Sequence, residues 1–106
     1  MIKKIFSLIS ILTISFFTAV NSNAGEKWDM PMAYSATNFH SMNGVMFADA
    51  VRLATGGEID ITVHPGGSLF KGGEIKKAIQ TGQVPIGERL LSGHQNESLI
   101  FGTDSI

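Results

Sequence analysis

The chain has 106 residues, no cysteine and a formal net charge of −1. The lack of cysteine excludes disulfides and cysteine-ligated zinc, and the slightly acidic balance argues against the basic face that a nucleic-acid partner would require. This length leaves room for one small domain at most.

The first 24 residues have the three parts of a cleavable secretory signal peptide. Lys3 and Lys4 form the positive n-region, and an uncharged apolar stretch follows from Ile5 to Val20. Small residues, Ser22 and Ala24, occupy the positions that a signal peptidase reads, so we predict cleavage after Ala24. The alternative is a retained anchor, but the apolar stretch is shorter than the roughly 20 residues of a bilayer-spanning helix. We therefore expect an exported, soluble mature chain.

The mature part, residues 25–106, alternates between strand and helix patterns. Its six cationic residues face nine acidic ones, which gives a net charge of about −3. The predicted elements are a strand at Trp28–Tyr34, a helix at Ser41–Thr55, a strand at Glu58–Val63, a short helix at Glu74–Thr81 and a strand at Val84–Gly87. The remainder, from Leu90 to Ile106, is predicted as a loop with a possible short strand near Leu99–Phe101.

The first helix is predicted to bury a wide apolar stripe. Asp49 and Arg52 would lie on its opposite side, and Gly56 is placed to end the helix as a left-handed C-cap. Gly82 is expected to end the second helix, two residues before the third strand begins at Val84. The stripe consists of Met46, Phe47, Ala50, Val51, Leu53 and Ala54.

The order of elements, β-α-β-α-β with short connections, is typical of right-handed parallel crossovers. Apolar and polar residues alternate along Glu58–Val63, which favours an edge strand because central parallel strands are usually apolar on both faces. The fold class predicted is therefore α/β, with a parallel sheet of order 2-1-3 as in part of a periplasmic-binding-protein-like lobe. Three strands and two helices leave this sheet incomplete, with one edge unpaired at Val84–Gly87.

Four segments, taken in order behind a signal peptide, resemble the N-terminal part of a known family. They are Lys27–Met30, Leu53–Gly57, Ile59–Leu69 and Ile79–Glu88. This combination is similar to the DctP-type solute-binding proteins of TRAP (tripartite ATP-independent periplasmic) transporters, and the likeness extends over almost all of Lys27–Ile106. Pro31 and Pro85 depart from the usual pattern of the expected strands.

The resemblance implies a periplasmic receptor of two α/β lobes with a ligand cleft between them. Such a receptor captures a small organic acid, such as a dicarboxylate, keto acid or sugar acid, and delivers it to a sodium-driven membrane permease. The family's carboxylate-binding arginine lies in the second lobe and has no matching position here. The chain is thus expected to be a truncated fragment: a signal peptide over 1–24 and part of the first lobe over 25–106. The alternatives are a complete small exported domain with an enzymatic or metal-binding role and a remnant that cannot fold alone.

Candidate ligand contacts lie in three loops at the predicted carboxyl ends of the strands, where open α/β sheets bind ligands. Hydroxyl, amide and charged side chains there are suited to a hydroxylated carboxylate, and the glycine-rich loop offers backbone amides to an anion. For each candidate the alternative is a solvated loop residue or a local helix cap. The candidates are Tyr34, Asn38, His40, Ser68, Glu88 and Arg89.

Other chemistries lack support in the sequence. The segment Gly67–Glu74 departs from the P-loop pattern at the lysine that would hold phosphates. No serine has the G-x-S-x-G surroundings of a hydrolase nucleophile, and His40, His64 and His94 lack metal-ligand spacing. We therefore expect a binding protein that is not an enzyme, with no cofactor and no metal.

Overall fold

The computed structural model describes residues 25–105, so the predicted signal peptide and its cleavage site lie outside the described residues. Within them the chain forms β1 (Glu26–Pro31), α1 (Phe39–Ala54), β2 (Ile59–His64) and α2 (Ile75–Gln80). Short 3₁₀ turns precede α2 and follow it, at Gly72–Glu74, Leu91–His94 and Leu99–Ser105. No helix in this part of the chain combines the length and apolar character needed to cross a membrane.

β1 and β2 form a parallel sheet in which Glu26 pairs with Ile59 and Met30 pairs with Val63. Alternate residues share one face of a strand, so the apolar positions of both strands point toward the same side. Met30 and Ile61 are buried there with Met32 and Ala48, the latter from α1. This core confirms the alternating pattern of the second strand and the parallel crossover between the two strands.

The predicted buried stripe of α1 is wrong except at Val51, which is partly buried and packs against the core. The buried residues of the helix are small, namely Ser41, Gly44 and Ala48. Met46 and Leu53 are exposed instead, by 70% and 84%. The reason lies across the interface: a Cβ atom on residue 44 would approach within 2.8 Å of Met32 Cε. Met30 of β1 and Met32, just after β1, already fill the space that a larger helix side chain at this position would need.

The predicted third strand at Val84–Gly87 is also wrong, because the described sheet has two strands. The segment makes one parallel bridge, between Met32 and Glu88. Its hydrogen bond runs from Glu88 N to Pro31 O (3.1 Å). In a parallel ladder, the hydrogen bond before this one would run from the N–H of residue 31 to the carbonyl of residue 86. Proline has no N–H, so the ladder cannot extend in that direction.

The bridge nevertheless places the segment on the predicted side of the sheet. Met32 N donates to His64 O (2.9 Å), while the carbonyl of the same peptide unit, Pro31 O, accepts from Glu88. The N–H and C=O of one trans peptide point in opposite directions. Chain segment 84–88 and β2 therefore lie on opposite edges of β1, which is the 2-1-3 order.

The predicted glycine caps are confirmed by the backbone. Gly56 (φ 61°) follows α1 and Gly82 (φ 74°) follows α2, both in the left-handed region that glycine adopts without a Cβ penalty. The possible short strand at Leu99–Phe101 is wrong, because these residues belong to a 3₁₀ turn. Asp104 in that turn accepts hydrogen bonds from Leu91 N and Ser92 N, which ties the turn to the one before it.

Candidate ligand-binding site

A cavity of about 290 Å³ opens between α1 and residues 86–88, beside the end of β1. Its volume is at the lower end of the roughly 300–1,000 Å³ typical of small-molecule sites, so it suits a small ligand. Most of the lining is apolar or small, and the polar side chains are those of His40, Asn43 and Glu88. The lining residues are Met30, His40, Asn43, Gly44, Phe47, Ile86, Gly87 and Glu88.

Glu88 supplies the carboxylate of this cavity. Its Oε1 lies 3.2 Å from His40 Nδ1, and the two side chains are 29% and 21% exposed. The other oxygen, Oε2, is buried and has no hydrogen-bond partner among the described residues. A buried carboxylate oxygen is costly without a donor, so this atom is the one polar group of the cavity that calls for an outside partner.

His40 is held in place from three directions. Its ring packs against the rings of Phe39 and Tyr34, with centroid distances of 4.1 and 4.9 Å. Its backbone N donates to Asn38 Oδ1 (2.9 Å), which is the N-cap of α1. Tyr34 in turn accepts at its hydroxyl from Leu90 N (3.2 Å), two residues after Glu88. Three predicted site residues, Tyr34, His40 and Glu88, thus come together.

Asn38 acts through the helix rather than at the cavity, since its side chain caps α1 and lies outside the cavity lining. Replacing Asn38 by alanine should cost about 1 kcal/mol of stability, because the first turn of α1 loses its side-chain acceptor. Asn38→Asp keeps an acceptor at the same place and is the matched control. Urea unfolding of both variants measures the difference; an equal stability for alanine and aspartate would show that the cap is unimportant.

The structure separates Arg89 and Ser68 from this cavity. Arg89 Nη1 donates to Gly72 O (2.8 Å), and the side chain lines a different cavity beside α2, with Lys76 and Glu97. In that cavity the hydrogen bond from Lys76 lowers the pKa of Glu97. Ser68 is an exposed residue of the turn after β2, where its backbone N donates to Pro65 O (3.2 Å).

The three histidines do not meet. Each pairs with a different carboxylate, His40 with Glu88, His64 with Asp29 and His94 with Glu97. Residues 25–105 contain no group of three side chains placed to hold a metal ion.

Comparison with family models gives no match, and comparison with curated proteins gives none either. Among solved structures, the chain is similar to a TRAP solute-binding protein from a marine metagenome (an unidentified microbe), described as specific for pyroglutamate and crystallised with co-purified pyroglutamate. The two are 67% identical with a TM-score of 0.72, over 76% of this chain and 27% of that one. Two extracytoplasmic solute receptors of Bordetella pertussis that bind pyroglutamic acid are also similar. DctP6 is 42% identical (TM-score 0.71, 76% of this chain and 27% of that one), and DctP7 is 36% identical (TM-score 0.72, 77% and 27%).

These three matches extend over nearly all of the described residues, and they agree in fold as well as in sequence. The chain belongs to the TRAP solute-binding protein family. The resemblance inferred from the sequence is confirmed, and the parallel α/β arrangement matches part of a periplasmic-binding-protein-like fold.

Membership of the TRAP family agrees with the prediction that the chain is not an enzyme, since the similar structures are solute-binding receptors. The chain spans about a quarter of the length of these receptors. Within that quarter, His40 and Glu88 line the cavity at the end of β1, and Tyr34 packs against the His40 ring. Asn43 and Phe47 also line the cavity but were not among the candidates; they lie one residue before and three residues after the buried Gly44 of α1.

Proposed function

We propose that this chain is part of the first lobe of an extracytoplasmic TRAP receptor that captures pyroglutamate. The single observation that carries the proposal is the 67% identity to a receptor described as specific for that acid. Two further receptors described as binding pyroglutamic acid, at 42% and 36% identity, support the same ligand. Pyroglutamate is a small cyclic amide with a carboxylate. The proposal thus replaces the broad class of organic acids expected from sequence with one compound.

The cavity beside Glu88 has the properties that this ligand requires. Its apolar lining from Met30, Phe47 and Ile86 suits the methylene groups of a five-membered ring. No lysine or arginine is among the lining residues, so a ligand carboxylate would have to point out of the cavity, toward parts of the receptor beyond this chain. The proposed role of this segment is thus to hold the ring.

The cellular setting is proposed on the same basis. The two Bordetella pertussis receptors are described as extracytoplasmic, and residues 1–24 have the pattern of a secretory signal peptide. We place the mature receptor in the periplasm, with the signal peptide removed after Ala24. Its partner would be the membrane permease of a TRAP transporter, to which the acid is delivered.

The test uses a chimera in which residues 25–105 replace the matching segment of the marine pyroglutamate receptor. After unfolding and refolding to remove co-purified ligand, calorimetry should give a pyroglutamate dissociation constant within about tenfold of the parent receptor, a difference below about 1.4 kcal/mol. Proline, which has the ring and carboxylate without the ring carbonyl, is the control ligand and should bind more weakly. A chimera that melts like the parent but does not bind pyroglutamate would overturn the proposal.

A further inference from the structure

We infer that Glu88 makes the site selective for a ring N–H, so that the receptor accepts a lactam acid and rejects the otherwise similar lactone. The inference rests on the proposed function, because it concerns how the same cavity reads its ligand. It adds a specificity-determining residue and the atom that carries the discrimination, Glu88 Oε2.

The two oxygens of Glu88 have different surroundings. Oε1 is engaged by His40 Nδ1 at 3.2 Å, while Oε2 is buried without a partner among the described residues. An ionised carboxylate can only accept hydrogen bonds. A ligand that enters the cavity therefore gains from presenting a donor to Oε2 and loses from presenting an acceptor.

No protein group described here takes that place. Five of the other lining residues, Met30, Gly44, Phe47, Ile86 and Gly87, have no side-chain N–H or O–H donor. The remaining two are His40, whose Nδ1 lies 3.2 Å from Oε1, and Asn43; neither makes a hydrogen bond to Oε2. The donor is left for the ligand to supply.

Electrostatics fixes which end of the ligand faces Glu88. A ligand carboxylate beside Oε2 would bring two negative charges together in a partly buried place, with no lysine or arginine in the lining to offset them. The neutral amide end must therefore face Glu88. In pyroglutamate this end carries one N–H, and in the corresponding lactone a ring oxygen stands in its place.

His40 acts as a positioning residue for this contact. Its ring packs against those of Phe39 and Tyr34, and its backbone N donates to the side chain of Asn38, the N-cap of α1. Its Nδ1 lies 3.2 Å from Oε1, which restrains the carboxylate in the orientation that leaves Oε2 without a partner among the described residues. A fixed acceptor discriminates more sharply than a mobile one, because it cannot rotate away from a repelling ligand atom.

The experiment compares pyroglutamate with the lactone in which an oxygen replaces the ring N–H, using calorimetry on the chimera. Loss of a hydrogen bond to a charged group should weaken lactone binding by roughly 10- to 150-fold. In Glu88→Gln the side-chain amide can donate as well as accept, so the ratio of the two dissociation constants should fall below about threefold. Glu58→Gln, at an exposed glutamate far along the chain, should keep the full ratio.

The ratio measured on the unsubstituted chimera does not depend on any variant folding correctly. If pyroglutamate binds and the lactone binds equally well, the inference is wrong while the proposed function stands. If Glu88→Gln folds and keeps the full preference for the lactam, Glu88 is not the discriminating residue. If the folded chimera binds neither compound, the proposed function itself fails and the inference fails with it.

Discussion

Replacement of Met32 by alanine is expected to lower the free energy of unfolding of the chimera by roughly 2–5 kcal/mol. Met32 is completely buried and belongs to the core between α1 and the sheet. Truncating the side chain removes its packing contacts and leaves a cavity next to Gly44. Glycine has no side chain that could move into this cavity.

Met46→Ala is the matched control, because it deletes the same atoms from a side chain that is 70% exposed on α1. Its effect should stay within about 0.5 kcal/mol, as for most surface substitutions. Urea denaturation followed by circular dichroism measures both variants. Similar losses at the two positions would contradict the assignment of Met32 to the core and of Met46 to the outer face.

Gly87→Ala should also destabilise the fold, by roughly 1–3 kcal/mol, because the added methyl group has no room. Its Cβ would lie 2.6 Å from Ile75 Cγ2 and 3.3 Å from Pro31 Cγ, and both of those residues are buried. The segment 84–88 must shift to relieve this contact, and Glu88 shifts with it. We therefore expect weaker pyroglutamate binding by the chimera as well.

The control for this substitution is Gly73→Ala, since a Cβ there meets nothing closer than Arg89 Nη1 at 3.9 Å. Differential scanning calorimetry and ligand titration on the two variants give the stability and the affinity. A Gly87→Ala chimera as stable as Gly73→Ala would mean that the segment moves freely over α2, against the packing described above.

The strands and helices could be predicted because each depends on a local pattern. Alternation along residues 59–63 requires one buried face, and the glycines after each helix adopt the positive φ that ends it. The inward face of α1 could not be predicted in this way. Helical periodicity suggests which residues share a face, but the need for glycine at position 44 depends on Met32 across the interface.

The structure places the candidate site residues in more than one part of the chain, for physical reasons. Of the candidates that the strand-end rule selected, the structure brings Tyr34, His40 and Glu88 together, whereas Arg89 lines a different cavity. Successive residues of an extended segment face opposite ways, so Glu88 and Arg89 could not both enter one cavity. The third strand is missing because Pro31 has no N–H to donate to residues 84–88. The sequence shows the proline but not which edge of β1 its N–H position faces.

The peptide unit between Pro31 and Met32 joins His64 on one side and Glu88 on the other. A peptide plane is rigid, so these two hydrogen bonds anchor the Glu88 backbone directly to the sheet instead of leaving it on a free loop. The acceptor is thereby preorganised before any ligand arrives. Binding then gives up little conformational entropy in this half of the site, and the affinity of the receptor depends correspondingly more on how the rest of the molecule closes over the ligand.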